Sequence, residues 1–385
     1  MRKVAFVSSF DTRCGNASFT KVVMESLNSH EGIQTFIEEL DITLNHSLDK
    51  IGRKAADRKI AEIAKRLKDY DSVNIQFEAS LLGLIPKQIV KRLRKIIKAN
   101  PNTTLTFHSP RLINNSNSKR EMYKSIVRGS FRTAARHFLG DLRANKDSNL
   151  NRKVAKILRQ YNIPVVVHTD RSRSQLTELF QISRVSVHPL QFVDDETKIS
   201  KVKLPKGKNI GVFGFISRYK GLEDAVKALS LLPPEWNLVI VGRIHPQQTM
   251  DIDANNYLNE LNEMVLALKL QKRVFFLGDL PDEEFYSVAR SVNCCLLAYQ
   301  ENGQDGSGIA SICLELNSQV VCSNSRAFDE LFRLVPTYSA KRYDFGNSLQ
   351  LSQQILSSQQ STKEFIDRKV FTLQTQTELY LEILS

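Results

Sequence analysis

Two cations separated by one residue follow an apolar run that opens the second half of the chain. Arg218 and Lys220 lie just beyond that run, between Gly214 and Gly221, where a helical pattern begins. Arginine offers a planar fork of donors and lysine a compact charge, so the pair could neutralise charge that develops on a departing phosphate. The spacing predicts a diphosphate site. The alternative is two solvated charges in a loop.

Small residues open the helix that the sequence predicts over 308–317. Gly306, Ser307 and Gly308 leave backbone N–H groups accessible at the positive end of that helix, which favours an anion. Glu315 lies about two turns further along, too far to cap the helix. Its carboxylate could accept hydrogen bonds from vicinal hydroxyls such as those of a ribose, and an exposed helix acid is the alternative.

Four candidates in the first half follow predicted strands. His108, His168 and Glu78 each stand directly after an apolar run, where the carboxyl ends of parallel strands would bring them together. Gly15 is the single glycine in the turn after the first strand, where a dinucleotide fingerprint would have three. We therefore expect close backbone approach to a phosphate or sugar there and no NAD site.

Short apolar runs alternate with segments at helical period throughout the chain, which predicts an α/β fold with mainly parallel sheets. A polar, Lys-rich stretch over 194–208 separates two such series. We expect two doubly wound, Rossmann-like domains that face each other across a ligand cleft. The predicted boundaries are 1–200 for an acceptor-side domain, 201–360 for a donor domain, and 361–385 for a C-terminal helix that packs back on the first.

The composition is that of a globular protein, with 42% hydrophobic and 25% charged residues. No apolar run approaches the ~18 residues of a membrane span, and the opening residues do not resemble a signal peptide, so we expect a cytoplasmic protein. The five cysteines show no metal-ligand spacing, which favours reduced thiols and no metal site.

The net charge of +13 implies an anionic partner. Residues 111–160 alone hold 13 Lys and Arg against 3 Asp and Glu. There and over 87–98, cations stand beside apolar residues at helical spacing, which suits the inner face of an anionic membrane. A solvated helix face above the core is the alternative. Few aromatic residues are interleaved and no recognition motif is present, so nucleic acid is not expected.

Several segments together resemble the retaining glycosyltransferases of GT-B architecture, family 4-like, of the type that builds bacterial polysaccharides and glycolipids. The likeness covers nearly the whole chain and is strongest over 209–331. Residues 214–221 resemble the family's phosphate-binding loop, and residues 307–315 resemble its donor-binding helix. Residues 237–243 and 274–284 also resemble family segments. In the first half, Cys14-Gly15, Gln76-Phe77-Glu78 and Thr106-Phe107-His108 resemble family motifs.

The resemblance implies a nucleotide-sugar substrate, no cofactor and no obligatory metal. It implies catalytic roles for Arg218 and Lys220 on the departing diphosphate and for His108 in positioning the donor sugar. Glu78 and His168, from their positions after predicted strands, are candidates for the acceptor side of the cleft. The donor-binding residues that it implies, besides Arg218 and Lys220, are Gly15, Gly242, Arg243, Leu277, Gly306, Ser307, Gly308, Ile309 and Glu315.

The sequence departs from the family pattern at two positions. Ser307 stands where members commonly carry the first of two glutamates, and Phe215 where many carry an arginine. The function that we predict is hexosyl transfer with retention, from UDP-glucose first and GDP-mannose second, to a saccharide or lipid-linked saccharide. The alternatives are a GT-B nucleotide-sugar epimerase and a non-catalytic nucleotide or nucleic-acid binding module.

Overall fold

The computed structural model describes the chain in several stretches. These are residues 1–12, 14–110, 112, 148–194, 197–244, 252–301, 304, 306–317, 319–334, 341–358 and 371–385. Most of the basic segment 111–160, including the helix predicted over 117–140, lies outside the described residues.

The chain divides into two compact units. The first comprises Met1–Phe192, Gly303–Gly306 and Phe371–Ser385, and the second comprises Val193–Asn302 and Ser307–Val370. The C-terminal helix therefore belongs to the first unit, and the change of unit near the middle of the chain falls between Phe192 and Val193.

The first unit is a six-stranded sheet in the order β2-β1-β3-β4-β5-β6, with every neighbouring pair parallel. Its strands are β1 (Arg2–Ser8), β2 (Ile33–Glu39), β3 (Ser72–Phe77), β4 (Thr103–Phe107), β5 (Val165–Val167) and β6 (Val185–Val187). Its helices are α1 (Gly15–Asn28), α2 (Ile42–Asn45), α3 (Lys50–Arg66), α4 (Pro86–Ile97), α5 (148–160) and α6 (Asp170–Ser174), and the tail forms a last helix over Leu373–Leu384.

The second unit is also a parallel six-stranded sheet, in the order β12-β11-β10-β7-β8-β9. Its strands are β7 (Lys208–Phe213), β8 (Trp236–Val241), β9 (Val274–Gly278), β10 (Cys294–Leu297), β11 (Val320–Ser323) and β12 (Lys341–Tyr343). Its helices are α7 (Leu222–Ser230), α8 (Ile252–Ala267), α9 (Asp282–Ser291), α10 (Gly308–Leu316), α11 (Arg326–Leu334) and α12 (Ser348–Ser358). The tail helix Leu373–Leu384 is α13.

Both faces of the second sheet are buried, as alternate residues of β8 show. Leu238 and Ile240 join one apolar cluster, and Val239 and Val241 join the other. A parallel sheet covered by helices on both faces needs apolar residues at every strand position. The apolar runs in the sequence therefore identified β1 to β11, with ends that differ by at most two residues, whereas β12 was not predicted.

The strand order reverses between β1 and β3 in the first sheet and between β7 and β10 in the second. In open α/β sheets the carboxyl ends of the strands at such a reversal leave a crevice that ligands occupy. The residues that follow β7 and β10 are therefore the first place to look for a site in the second unit.

The cationic helix α4 buries its apolar side in the first unit. Ile89, Leu93 and Ile96 belong to the apolar core, whereas Lys87 and Lys95 are exposed. The apolar residues at helical spacing are thus core residues, and only the exposed cations of this helix are left for an anionic surface, since Arg92 is buried and pairs with Asp57. Within the described residues, no helix is long and apolar enough to span a membrane.

Candidate functional site

Lys220 lies where the chain leaves β7 at the reversal of strand order. Gly214 follows β7 with a φ of +95°, and the chain then forms a short 3-10 turn over Arg218–Lys220. Gly221, at a φ of +65°, ends this turn and precedes α7. Glycine suits both positions because a side chain at positive φ is strained.

The Lys220 side chain is 5% exposed. Its ammonium donates a hydrogen bond to the hydroxyl of Tyr299 and lies 3.7 Å from the centre of that ring. Burial lowers the pKa of Lys220 from 10.5 to about 7. A lysine held in this way is ready to gain charge when an anion binds, since a nearby negative charge favours the protonated form.

Tyr299 connects Lys220 to the start of α10. Its hydroxyl lies 3.1 Å from Oγ of Ser307, and that oxygen accepts a hydrogen bond of 3.2 Å from the backbone N–H of Ala310. Ser307 is therefore the N-cap of α10, and its side chain is buried. Gly308 and Ile309 form the first helical positions, so the buried cation and the positive end of α10 lie on one hydrogen-bonded chain.

Two glycines let the loops after β7 and β8 approach closely. A Cβ on Gly242 would lie 1.9 Å from the carbonyl oxygen of Gly214, and the φ of Gly242 is +154°. A Cβ on Gly214 would lie 3.6 Å from Nζ of Lys220. These glycines thus keep the backbone close beside the buried ammonium, and a side chain at Gly242 would displace the Gly214 carbonyl.

Arg218 is already engaged by a carboxylate. Its guanidinium makes two hydrogen bonds, of 2.7 and 2.8 Å, to Glu260 on α8, and it stacks 4.7 Å from the ring centre of Tyr257. Tyr257 in turn donates to Glu223 at 2.7 Å. Any anion that Arg218 binds therefore competes with Glu260 or joins the same guanidinium.

Three other predicted donor residues are placed as follows. Arg243 follows β8 and pairs with Asp279 at 3.2 Å. Leu277 is a partly exposed residue of β9. Glu315 lies on α10 at 9% exposure, and its Oε2 accepts a hydrogen bond of 3.0 Å from the backbone N–H of Val193.

In the first unit, His108 and His168 are in direct contact. His108 Nδ1 lies 3.1 Å from His168 Nε2, and His108 Nε2 lies 2.8 Å from Oε1 of Gln76. His168 Nδ1 lies 2.9 Å from the backbone carbonyl of His188. Burial is the first cause that lowers the pKa of both rings, to about 4 for His168 and well below 6.5 for His108.

Neighbouring polar residues fix the orientation of the Gln76 amide. Thr104 donates to the carbonyl of Val73, so its oxygen accepts from Nδ2 of Asn74. Oδ1 of Asn74 then accepts from Nε2 of Gln76 at 2.8 Å. The Gln76 oxygen therefore faces His108, and this assignment follows from the hydrogen-bond network.

This orientation sets the number of protons that the histidine chain needs. Because a carbonyl-type oxygen accepts at each end, His108 Nε2 and His168 Nδ1 must both donate. The contact between the rings needs a third proton, but two neutral imidazoles carry only two. The neutral pair thus points two lone pairs at one another, a site for one shared proton that burial disfavours.

Gly15 and Glu78 lie at the carboxyl ends of the strands where the first sheet reverses. Gly15 is the first residue of α1, with open space around its Cα. Glu78 follows β3 and is partly exposed. Phe19 of α1 makes edge contacts with His108 and His168, at centroid distances of 5.3 and 5.4 Å. Gly306 belongs to the first unit by packing, while Ser307 belongs to the second.

Sequence reasoning missed Tyr299, Glu260 and Gln76 as partners of the predicted residues. Tyr299 could have been identified from the sequence because it comes shortly after β10, a strand at the reversal of strand order. Glu260 could not have been identified in this way, since it lies 42 positions from Arg218 in the chain. Among the described residues, no group of three or more His, Cys, Asp or Glu side chains could hold a metal ion.

Residues 194–333 match the family described as glycosyl transferases group 1. A lipopolysaccharide core biosynthesis mannosyltransferase, LpcC of Rhizobium leguminosarum bv. viciae, is 26% identical over 194 residues, which are 48% of this chain and 51% of the relative. The chain therefore spans about half the length of this curated relative. The family match over residues 194–333 covers most of the second unit.

Solved glycosyltransferase structures share the fold of the whole chain. Anabaena HepE in complex with UDP and glucose is 14% identical with a TM-score of 0.63, covering 100% of this chain and 99% of that one. Sucrose-phosphate synthase of Thermosynechococcus elongatus is 15% identical with a TM-score of 0.68, again covering 100% and 99%. The chain has the GT-B fold of these transferases, and the GT-B resemblance predicted from the sequence is confirmed.

Proposed function

We propose that this chain transfers a sugar from a nucleoside diphosphate sugar to an acceptor hydroxyl, with retention at the anomeric carbon, and that its second unit binds the nucleotide. The observation that carries the proposal is Lys220, a buried ammonium beside the close-packed backbone at Gly214 and one tyrosine away from the N-terminus of α10. Positive groups gathered at the reversal of strand order suit a diphosphate.

The chemistry needs charge stabilisation more than a protein nucleophile. The bond between the anomeric carbon and the diphosphate oxygen breaks, and a bond to the acceptor oxygen forms on the same face of the sugar. The acceptor proton passes to the departing phosphate. Lys220 and the free backbone N–H groups at the start of α10 stabilise the negative charge that grows on the diphosphate.

UDP-glucose is the donor that we propose first. HepE, which shares the fold, is described in complex with UDP and glucose. The buried Ser307 cannot hold a sugar as a carboxylate would, so the choice of sugar falls to other residues. GDP-mannose is the second candidate, favoured by the mannosyltransferase LpcC among the relatives.

The acceptor that we propose is a saccharide or a lipid-linked saccharide reached at an anionic membrane surface. On the outer sides of α4 and α5, Lys87, Arg94, Lys95, Lys153 and Lys156 are exposed. Cations near an anionic bilayer contribute on the order of 1 kcal/mol each. Flotation of the protein with vesicles tests this directly. Binding should rise with the fraction of anionic lipid and fall with salt, and indifference to both would remove the membrane from the proposal.

Calorimetry with UDP and GDP tests the nucleotide, with Lys220→Met as the matched variant of similar length without charge. We expect one nucleoside diphosphate to bind wild type and to bind Lys220→Met far more weakly. Incubation with UDP-glucose or GDP-mannose and candidate acceptors, followed by mass spectrometry and NMR of the product, then identifies the sugar and its anomeric configuration. An inverted product, or an epimerised donor formed without acceptor, would refute retaining transfer.

A further inference from the structure

The hydroxyl of Tyr299 is the direct acceptor of the buried Lys220 ammonium. Because an ammonium has three donors and no acceptor, the tyrosine oxygen must accept from it. Oγ of Ser307 lies 3.1 Å from the same hydroxyl and already accepts from Ala310. The Tyr299 proton can therefore be donated to Ser307, and the chain runs in one direction from Lys220 to the start of α10.

Tyr299 itself is firmly placed in the second unit. The Oγ of Ser323 donates to its backbone carbonyl at 2.5 Å. Its ring packs against Phe328 at a centroid distance of 4.9 Å and against Tyr219 at 5.8 Å. A side chain held at both its backbone and its ring keeps its hydroxyl at one position, so it can fix the position of a flexible lysine.

Building on the proposed function, we propose that Tyr299 is a positioning residue for the diphosphate site, whose hydroxyl holds the Lys220 ammonium beside Gly214 in its charged form. Nζ of Lys220 lies 3.6 Å from the place that a Cβ on Gly214 would take, so the ammonium lies beside the backbone of the loop after β7. The ring and the hydroxyl act together, since the ammonium also lies 3.7 Å from the ring centre.

The energetic reason is that burial works against the charge. Burial lowers the pKa of Lys220 to about 7, so the charged and neutral forms are nearly balanced at neutral pH. Hydrogen bonds to charged groups favour the charged form. Removal of the hydroxyl should lower the pKa of Lys220 by roughly one further unit, given the usual strength of such a bond.

Tyr299→Phe tests the proposal because it removes the hydroxyl and keeps the ring. Tyr343→Phe is the matched control, a second buried tyrosine of the same unit whose hydroxyl donates to Asp224 at 3.2 Å. The titration of Lys220 is followed by NMR of the full chain with labelled lysine side chains, the signal being assigned by its absence in Lys220→Met. We expect its midpoint to fall by about one pH unit in Tyr299→Phe and to stay unchanged in Tyr343→Phe.

Calorimetry with UDP at two pH values provides the functional readout. At pH 6 the affinity of Tyr299→Phe should lie within about twofold of wild type, because the lysine is mostly charged in wild type and still about half charged in the variant. At pH 8 it should be about tenfold weaker, because the charged fraction of the lysine is then about tenfold smaller in the variant than in wild type. Lowering the pH should therefore rescue the variant.

The outcomes separate this proposal from the proposed function. If wild type binds no nucleoside diphosphate, the proposed function fails, while the NMR midpoint still decides whether Tyr299 holds the charge of Lys220. An unchanged midpoint in Tyr299→Phe would overturn the proposal. A loss of UDP affinity equal at pH 6 and pH 8 would also overturn it, since a purely structural defect has no reason to follow the charge of one lysine.

Discussion

Replacement of Lys220 by methionine should strongly reduce activity and yet stabilise the second unit at neutral pH. In the folded protein the pKa of Lys220 is about 7, against 10.5 in the unfolded chain. Between these values the unfolded state binds more protons, so the stability contributed by this group rises with pH. The burial of Lys220 therefore destabilises the fold by on the order of 4 kcal/mol at pH 7 and on the order of 2 kcal/mol at pH 9.

Lys220→Met removes this pH dependence because methionine does not titrate. The difference in unfolding free energy between variant and wild type should shrink by about 2 kcal/mol from pH 7 to pH 9. The part of the Lys220 contacts that does not depend on protonation, such as the packing of its methylene groups, affects both pH values equally, so it cancels from that change. The same variant should lose roughly 2–4 kcal/mol of transition-state stabilisation, which is about 30- to 1,000-fold in kcat/KM.

Urea unfolding followed by tryptophan fluorescence measures the unfolding free energy of the second structural unit. The chain has one tryptophan, Trp236, and it is fully buried in β8 of the second unit. The reasoning would be refuted if Lys220→Met were less stable than wild type at pH 7 and the difference in unfolding free energy stayed the same up to pH 9. Lys220 would then be a structural residue whose ammonium stabilises the fold.

Three further predictions test other parts of the two units. Glu315→Gln should weaken binding of UDP in calorimetry by about tenfold if the carboxylate accepts from the ribose, and a 2′,3′-dideoxy analogue should bind wild type equally weakly. Gly242→Ala should cost at least about 2 kcal/mol in urea unfolding because its Cβ would meet the Gly214 carbonyl, whereas Gly278→Ala, at a φ of +73° with open space, should cost only about 1 kcal/mol. His168→Gln, which retains an N–H donor without a titrating ring, should remove the transition in kcat/KM near pH 4 that comes from the histidine pair, and should leave UDP affinity unchanged; a wild-type pH profile in this variant would contradict the shared-proton site.

The sequence alone was sufficient to predict the layers of the fold. Every strand of a helix-covered parallel sheet must be apolar on both faces, so runs such as 237–241 stand out as strands without any knowledge of their partners. Short strands and helices near the C-terminus, such as β12 and α12, were not predicted because their apolar runs are brief. The polar stretch over 194–208 marks a change of composition, whereas packing decides which unit each residue joins, with the change of unit between Phe192 and Val193.

The sequence also predicted that Arg218 and Lys220 lie together, because residues two positions apart in the chain are close in any fold. Tertiary structure decided how they differ. Lys220 turns inward onto Tyr299, 79 positions away, and loses most of its preference for charge, while Arg218 turns to Glu260 and the solvent-exposed side of α8. Likewise, the sequence identified His108 and His168 separately, but only their contact reveals a chain that lacks one proton. Partners, burial and pKa depend on distances between residues far apart in the chain, which local patterns do not encode.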